Sequence, residues 1–166
     1  SPGIGLYPVL RVGKDSGFHV GGAFSFGLHE QYWGLEVDAM FLRGGTVTTT
    51  DISFVPSFIV RFGADNDGET YNGLYARVGP EFRFSFADSD SATERERNRA
   101  TGSQMFHIGV QAGAGYERAV SSYLSWRILD VRLFGAWRTD SLDIPDDNFG
   151  HQSEYGLLFA SGITFY

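Results

Sequence analysis

The side chains able to do chemistry in this sequence are few and widely spaced. It has four histidines, His19, His29, His107 and His151, and no cysteine, which removes a disulfide framework and a thiol nucleophile together. One segment, His151-Gln152-Ser153-Glu154, sets a base, a hydroxyl and an acid close together, the groups that nucleophilic attack on an ester or amide requires. Consecutive residues of a strand point to opposite faces, so His151 and Ser153 share one face while Glu154 takes the other. No catalytic residue is assigned. The acidic turn Asp65-Asn66-Asp67-Gly68-Glu69 suggests calcium ligation. Aligning Gly68 with the glycine of an EF-hand loop puts Gly63 at the first ligand position and Leu74 at the last, where carboxylates are needed. That reading fails, and neither a metal nor a cofactor is expected.

What remains is a set of charges recurring at alternate positions of long segments. Arg11, Arg61, Arg77, Arg83, Arg127 and Arg132 stand on the same face as Glu36, Asp38, Glu81, Glu117 and Asp130. Buried charges are tolerable only when paired, and these two sets nearly cancel. They suit either a gate in a narrow polar conduit or an ion-pair network that fills a closed interior. The network is favoured, because eight strands leave room inside for side chains and little else. His19 and His107 belong to the same face and are read as hydrogen-bonded interior residues.

The elements that position these charges follow from a period of two. In Phe18–His29 the even positions read Phe18, Val20, Gly22, Phe24, Phe26 and Leu28, and the odd ones His19, Gly21, Ala23, Ser25, Gly27 and His29. Tyr32–Arg43, Ile52–Phe62, Leu74–Phe86, Phe106–Glu117 and Tyr155–Phe165 repeat the pattern, and Ile4–Gly13 does so less cleanly. Strict alternation over such lengths predicts strands, since helices would need i, i+3, i+4 spacing. In Tyr123–Arg138 the phase slips once, from Leu124, Trp126 and Ile128 to Leu129, Val131, Leu133 and Trp137. A β-bulge is expected there. The count is eight strands.

The direction of the alternation decides the class. The charged face also carries the Gly, Ala and Ser residues, as a tightly filled lumen requires, while the other face is almost pure Phe, Leu, Val, Ile and Trp. Phe24, Phe26, Trp33, Phe41, Phe58, Phe84, Val110, Leu133 and Phe159 lie on that apolar face. A water-soluble barrel puts its large apolar residues inside, and a transmembrane barrel does the reverse. Only a closed barrel satisfies every backbone group of strands in hydrocarbon, and each segment meets the roughly 9 to 11 residues a spanning strand needs. The expected fold is all-β: an eight-stranded antiparallel up-and-down transmembrane β-barrel, with residues 1–166 as one domain. Composition agrees, with 22 Gly, 15 Phe and 8 Tyr among 166 residues. A net charge of −7, from Lys+Arg 13 against Asp+Glu 20, argues against nucleic acid as a partner.

Connection lengths assign the ends. The turns near Glu30 and over Arg118–Ser122 are short, Gly63–Asn72 is intermediate, and Ala87–Gln104 and Thr139–Gln152 are long. With an even strand count, the short turns and both termini share the periplasmic side and the long loops face outward; Lys14–Gly17 is short for an outer loop. The start, Ser1-Pro2-Gly3, reads as processed or trimmed, with a signal peptide inferred.

Several of these residues resemble a known family. Tyr7 with the Gly13 turn, Gly21-Gly22-Ala23-Phe24 and Tyr32-Trp33-Gly34-Leu35-Glu36-Val37 look like the opening hairpins of the OmpA-like outer-membrane β-barrel superfamily. Gly113-Ala114-Gly115-Tyr116-Glu117 followed by Tyr123-Leu124-Ser125-Trp126-Arg127 resembles its sixth and seventh strands. Gly162-Ile163-Thr164-Phe165-Tyr166 is similar to the aromatic-ended strand by which such barrels engage the outer-membrane assembly machinery, although Phe165 and not Tyr166 continues the apolar set. The resemblance implies a non-enzymatic outer-membrane protein of a Gram-negative envelope, structural or active in surface interaction. Outer-membrane lipid and lipopolysaccharide are the expected surroundings, and an envelope protein is an expected partner through the long loops, with Asp146 and Phe149 as candidate contacts. The alternatives are a subunit of a larger envelope complex, a small-solute channel and a lipid A-modifying enzyme, since this fold also supports deacylases.

Overall fold

Eight strands close into a barrel in which each pairs antiparallel with its neighbours in sequence and β8 returns to β1. They are β1 Pro2–Gly13, β2 Gly17–His29, β3 Trp33–Gly44, β4 Thr49–Phe62, β5 Gly73–Ala87, β6 Gln104–Ser121, β7 Leu124–Arg138 and β8 Ser153–Phe165. This computed structural model describes residues 1–14, 16–46, 48–62, 71–87, 104–139 and 153–166.

Burial alternates along every strand, so the period of two becomes an inside and an outside. Phe24, Phe26, Trp33, Phe41, Phe58, Val110 and Leu133 are exposed on the outer wall. Phe84 and Phe159 are on the same wall but half-covered by neighbours: the ring of Phe84 lies 4.8 Å from that of Phe106, and Phe159 sits between Leu10 and Val131 in register. Exposed aromatics collect at both ends, Tyr32, Trp33, Tyr123 and Trp126 near the termini and Phe18, Trp137 and Tyr155 near the loops. Amphipathic rings at both rims of an apolar belt are the pattern of a barrel in a bilayer.

Strand ends differ from expectation where polar residues look like turn signals. β6 runs on to Ser121 and pairs with β7 as far as Ser121↔Leu124, so Arg118 and Val120 belong to the wall and the turn shrinks to Ser122 and Tyr123. Ladder hydrogen bonds continue past the apolar belt because polar side chains are no penalty to a strand in water. The same reason carries β4 back to Thr49, and β8 starts at Ser153, where the Thr139–Gln152 connection is expected to end. At the loop end, Gly17 (φ 79°) and Gly45 (φ 100°) take left-handed backbone that a side chain would strain, and Thr46 N–H donates to Ser16 O across the two hairpins at 2.9 Å.

Interruptions of the ladder have local causes. Between β4 and β5 the pairing stops after Phe54↔Phe82 and resumes at Phe58↔Val78, a gap centred where Pro56 stands opposite Pro80. Neither residue has an N–H to give. On β7, Tyr116 pairs with Leu129 but Glu117 with Arg127, leaving Ile128 unpaired. This is the bulge, and Ser161 Oγ donates to the Arg127 carbonyl beside it at 3.2 Å.

Candidate functional site in the barrel lumen

The bulge puts the central charges in place. Arg127 points inward at an odd position, and one extra residue lets Asp130 and Arg132 point inward at even ones. Without it, the last two would face lipid. Arg77 of β5 reaches across to β3, donating to Glu36 Oε1 at 2.9 Å and Asp38 Oδ2 at 2.8 Å, and also to Ser57 Oγ at 2.9 Å and Asp130 Oδ2 at 3.4 Å. Arg127 grips both oxygens of Glu36, at 2.9 and 3.0 Å. Arg132 grips both oxygens of Asp130, at 3.1 and 2.8 Å, and reaches Asp38 Oδ2 at 2.5 Å. Three guanidinium groups thus meet three carboxylates across the axis, all buried, and forked bidentate pairing is the geometry that best repays desolvation. The rings of Tyr7 and Tyr75 flank Arg127, at 4.5 and 5.1 Å from its guanidinium carbon. They fit because Gly5 and Gly115 carry no side chain: a Cβ at either would lie within 2.4 Å of a tyrosine ring atom.

At the termini end a second layer covers this cluster. Arg61 donates to Tyr166 Oη at 2.9 Å, contacts His29 Nδ1 at 3.0 Å, and stacks over Tyr71 at 4.5 Å. Tyr166 Oη donates to Glu117 Oε1 at 2.5 Å, and Glu117 also lies 3.6 Å from Arg127. Burial, reinforced by the Glu117 carboxylate, holds the Tyr166 phenol well above its ordinary pKa, so it stays a donor. The departure of Tyr166 from the outer-wall phase is therefore an inward turn that ties β8 to β2, β4 and β6.

The loop end holds a separate set. Arg11 pairs with Asp51, and Thr49 Oγ1 donates to Asp51 Oδ1 at 3.0 Å and lies 3.1 Å from His19 Nε2. Arg83 donates to Glu154 Oε2 at 2.9 Å, and Ser16 Oγ to Glu154 Oε1 at 2.5 Å. Glu81 accepts from Ser53 at 3.2 Å and sits 3.5 Å from Arg83. Arg11 and Arg83 share the ring of Phe134, each 5.7 Å from its centroid.

On the β8, β1, β2, β3 and β4 side of the bore, an apolar cluster of Tyr7, Val9, Ala23, Met40, Leu42, Val55, Leu158 and Ala160 adjoins both sets. Val9 separates Tyr7 from Arg11 along β1, and Val55 separates Ser57 from Asp51 and Ser53 along β4. No ion pair among the described residues joins the loop-end set to the central one. The apolar cluster and the charges are all buried inside the barrel.

The structure brings Arg11, Glu36, Asp38, Arg61, Arg77, Glu81, Arg83, Glu117, Arg127, Asp130 and Arg132 into the lumen, all buried. His19, His29 and His107 are buried there too. Sequence reasoning missed Asp51 and Glu154, which continue the inward phase of β4 and β8 beyond the strand starts read from the apolar pattern. Ser153 is exposed while Glu154 turns inward to Arg83 and Ser16, so they do not form one site. His151, the Asp65–Glu69 turn, Asp146 and Phe149 lie outside the described residues. Among the described residues no grouping of His, Asp and Glu could hold a metal ion. Thr49 touches both His19 and Asp51, but its hydroxyl donates to Asp51, and His19 Nδ1 has no hydrogen-bond partner, so no acid orients the imidazole as a general base.

No protein-family model and no curated protein matches the sequence. Solved structures do match the fold. The crystal structure of Neisserial surface protein A (NspA) aligns with a TM-score of 0.60 and 15% identity over 99% of this chain and 96% of that one. The outer membrane protein OprG from Pseudomonas aeruginosa aligns with a TM-score of 0.58 and 10% identity over 99% and 94%. At such identities the likeness is one of architecture, and by architecture the chain is a closed eight-stranded barrel of the kind found in small outer-membrane proteins.

Proposed function

We propose that this protein is an integral outer-membrane barrel with both termini periplasmic, whose role is structural or one of surface interaction. One observation carries the reading: the bore holds buried paired charge and an apolar cluster, with Arg77, Arg127 and Arg132 meeting Glu36, Asp38 and Asp130 across the axis. A solute path would need a continuous wet bore, and a lipid-modifying enzyme would need a nucleophile and base on the outer face. The wall is committed to lipid on one side and to ion pairing on the other. Recognition is left to the loop-end segments, including residues 88–103 and 140–152, through which an envelope partner would bind. The assembly machinery is the expected partner of β8 during insertion.

Bilayer recording of the purified protein tests the closed bore: no steady conductance is expected. A conductance that persists unchanged after removal of Glu36 and Arg77 contradicts a plug made by those charges. Trimming residues 88–103 and 140–152 to tight turns should leave folding intact and abolish partner capture or the deletion phenotype. Full complementation by the trimmed barrel would refute the loop assignment.

A further inference from the structure

On the outer wall an apolar groove crosses β8, β1, β2 and β3. Its floor is Gly162, Pro8, Gly21 and Gly22, and Phe24 and Phe41 form one wall. The groove has two local causes. Pro8 has no N–H to give β8, and pairing between these strands skips from Leu6↔Ile163 to Val9↔Ala160. Gly22 lies between Pro8 on β1 and Phe41 on β3 in register, and offers neither of them a side chain. Ile4, Leu6, Leu10, Phe24, Phe26 and Phe41 stand exposed on the wall around this stretch, so a trough continuous with that apolar belt takes hydrocarbon too.

Two cationic side chains stand on the loop-end side of the groove. Arg43 follows Phe41 on the same outward face of β3 and is exposed, about 7 Å further along the strand at 3.4 Å per residue. Lys14, also exposed, stands at the loop end of β1, its ammonium 5.2 Å from the Tyr155 ring. A chain lying in the groove with its head toward the loops therefore meets the Arg43 guanidinium, which calls for an anionic, phosphate-bearing head. A groove three strand spacings across, roughly 14 Å, is far too small to hold a second protein by itself.

We propose that this groove is a binding site for a phosphorylated, multiply acylated glycolipid of the lipid A class, with one acyl chain lying against Gly22 between Pro8 and Phe41 and a phosphate at Arg43. The assignment of that lipid rests on the orientation proposed above, which puts the loop end in the outer leaflet.

Gly22 makes the site testable. A Cβ there meets only the Tyr7 carbonyl oxygen, at 3.6 Å, and the backbone φ is not left-handed, so the backbone accepts a side chain and Gly22→Phe puts a ring where the groove is. Gly135, on the outward face of β7 and outside the groove lining, has nothing within 4 Å of its Cβ position, and Gly135→Phe is the control. The purified proteins in detergent are loaded with lipid A or with phosphatidylglycerol, and retained lipid is measured by native mass spectrometry, with folding checked by gel mobility. Wild type and Gly135→Phe should retain lipid A in preference to phosphatidylglycerol. Gly22→Phe should retain at least about tenfold less, as loss of a seated chain implies, and Arg43→Gln should lose the preference between the two lipids. Equal retention by wild type and Gly22→Phe overturns the site, and groove-dependent retention without preference for lipid A overturns the glycolipid. If Gly22→Phe fails to fold, Arg43→Gln decides, and an unchanged preference in it overturns the proposal. Orientation is read separately by labelling Thr46→Cys in intact cells: absence of label sinks the outward loop end and leaves the in vitro binding result standing by itself.

Discussion

Replacing Arg77 by leucine removes the residue that bridges three carboxylates, and the cost follows from what remains. Arg77 makes hydrogen bonds to Glu36, Asp38, Asp130 and Ser57, and at about 1.5 to 3 kcal/mol for each bond to a charged group a naive sum exceeds 6 kcal/mol. The sum overstates the loss. Glu36 keeps both bonds from Arg127, and Asp38 and Asp130 keep those from Arg132, so the variant is left with one uncompensated negative charge in a cluster of two guanidinium groups and three carboxylates. Stranding one buried charge costs about 3 to 5 kcal/mol. Arg77→Leu should therefore fall in that range, and Arg77→Leu combined with Asp38→Asn, which restores neutrality, should recover roughly half of it. The assay is reversible denaturant unfolding in lipid vesicles, followed by tryptophan fluorescence. A cost below about 1 kcal/mol for the single variant, or a double variant as unstable as the sum of its parts, would refute a charge-balanced plug.

On the outer wall, Phe58→Arg places a charge in the apolar belt, where Phe58 is 46% exposed, and should cost about 2 to 4 kcal/mol in the same assay; recovery of the protein as a monomer in buffer without detergent would contradict the lipid-facing wall altogether. Gly5→Val forces a Cβ to 2.0 Å from Tyr7 Oη, displacing the ring from Arg127 and destabilising by about 1 to 3 kcal/mol, and unchanged stability would mean that Tyr7 is not packed there. Tyr166→Phe removes the donor to Glu117 and the acceptor of Arg61, and should cost about 1 to 3 kcal/mol. If Tyr166→Phe unfolds at the wild-type denaturant midpoint, the inward turn of that residue carries no stability.

Much of the architecture is legible in the residues themselves because a strand has only two faces. Once Trp33, Leu35, Val37 and Phe41 fall on one face and Glu36, Asp38 and Met40 on the other, a single decision about which face meets lipid orients the whole strand. The slip at Ile128 and Leu129 is readable for the same reason, since a bulge moves the phase by one residue and nothing else does so cleanly. Strand ends are less legible: past the apolar belt the outward residues become polar, the alternation fades, and the pairing continues into water regardless. That is how Asp51 and Glu154 escaped the interior set although both obey its parity.

The sequence by itself determined the strand count, the inward parity of the charges and their near neutrality, because these depend on local periodicity and composition. Only the closed barrel decided the partners. Arg77 and Glu36 are 41 residues apart, and Arg127 and Glu36 are 91 apart; which acid each guanidinium reaches depends on strand stagger, which the inward parity of a single strand does not encode. The division of the lumen into a central cluster, an apolar cluster and a loop-end cluster has the same origin. So does the outer groove, where Pro8, Gly22 and Phe41, unremarkable on three separate strands, become neighbours only once register places them side by side.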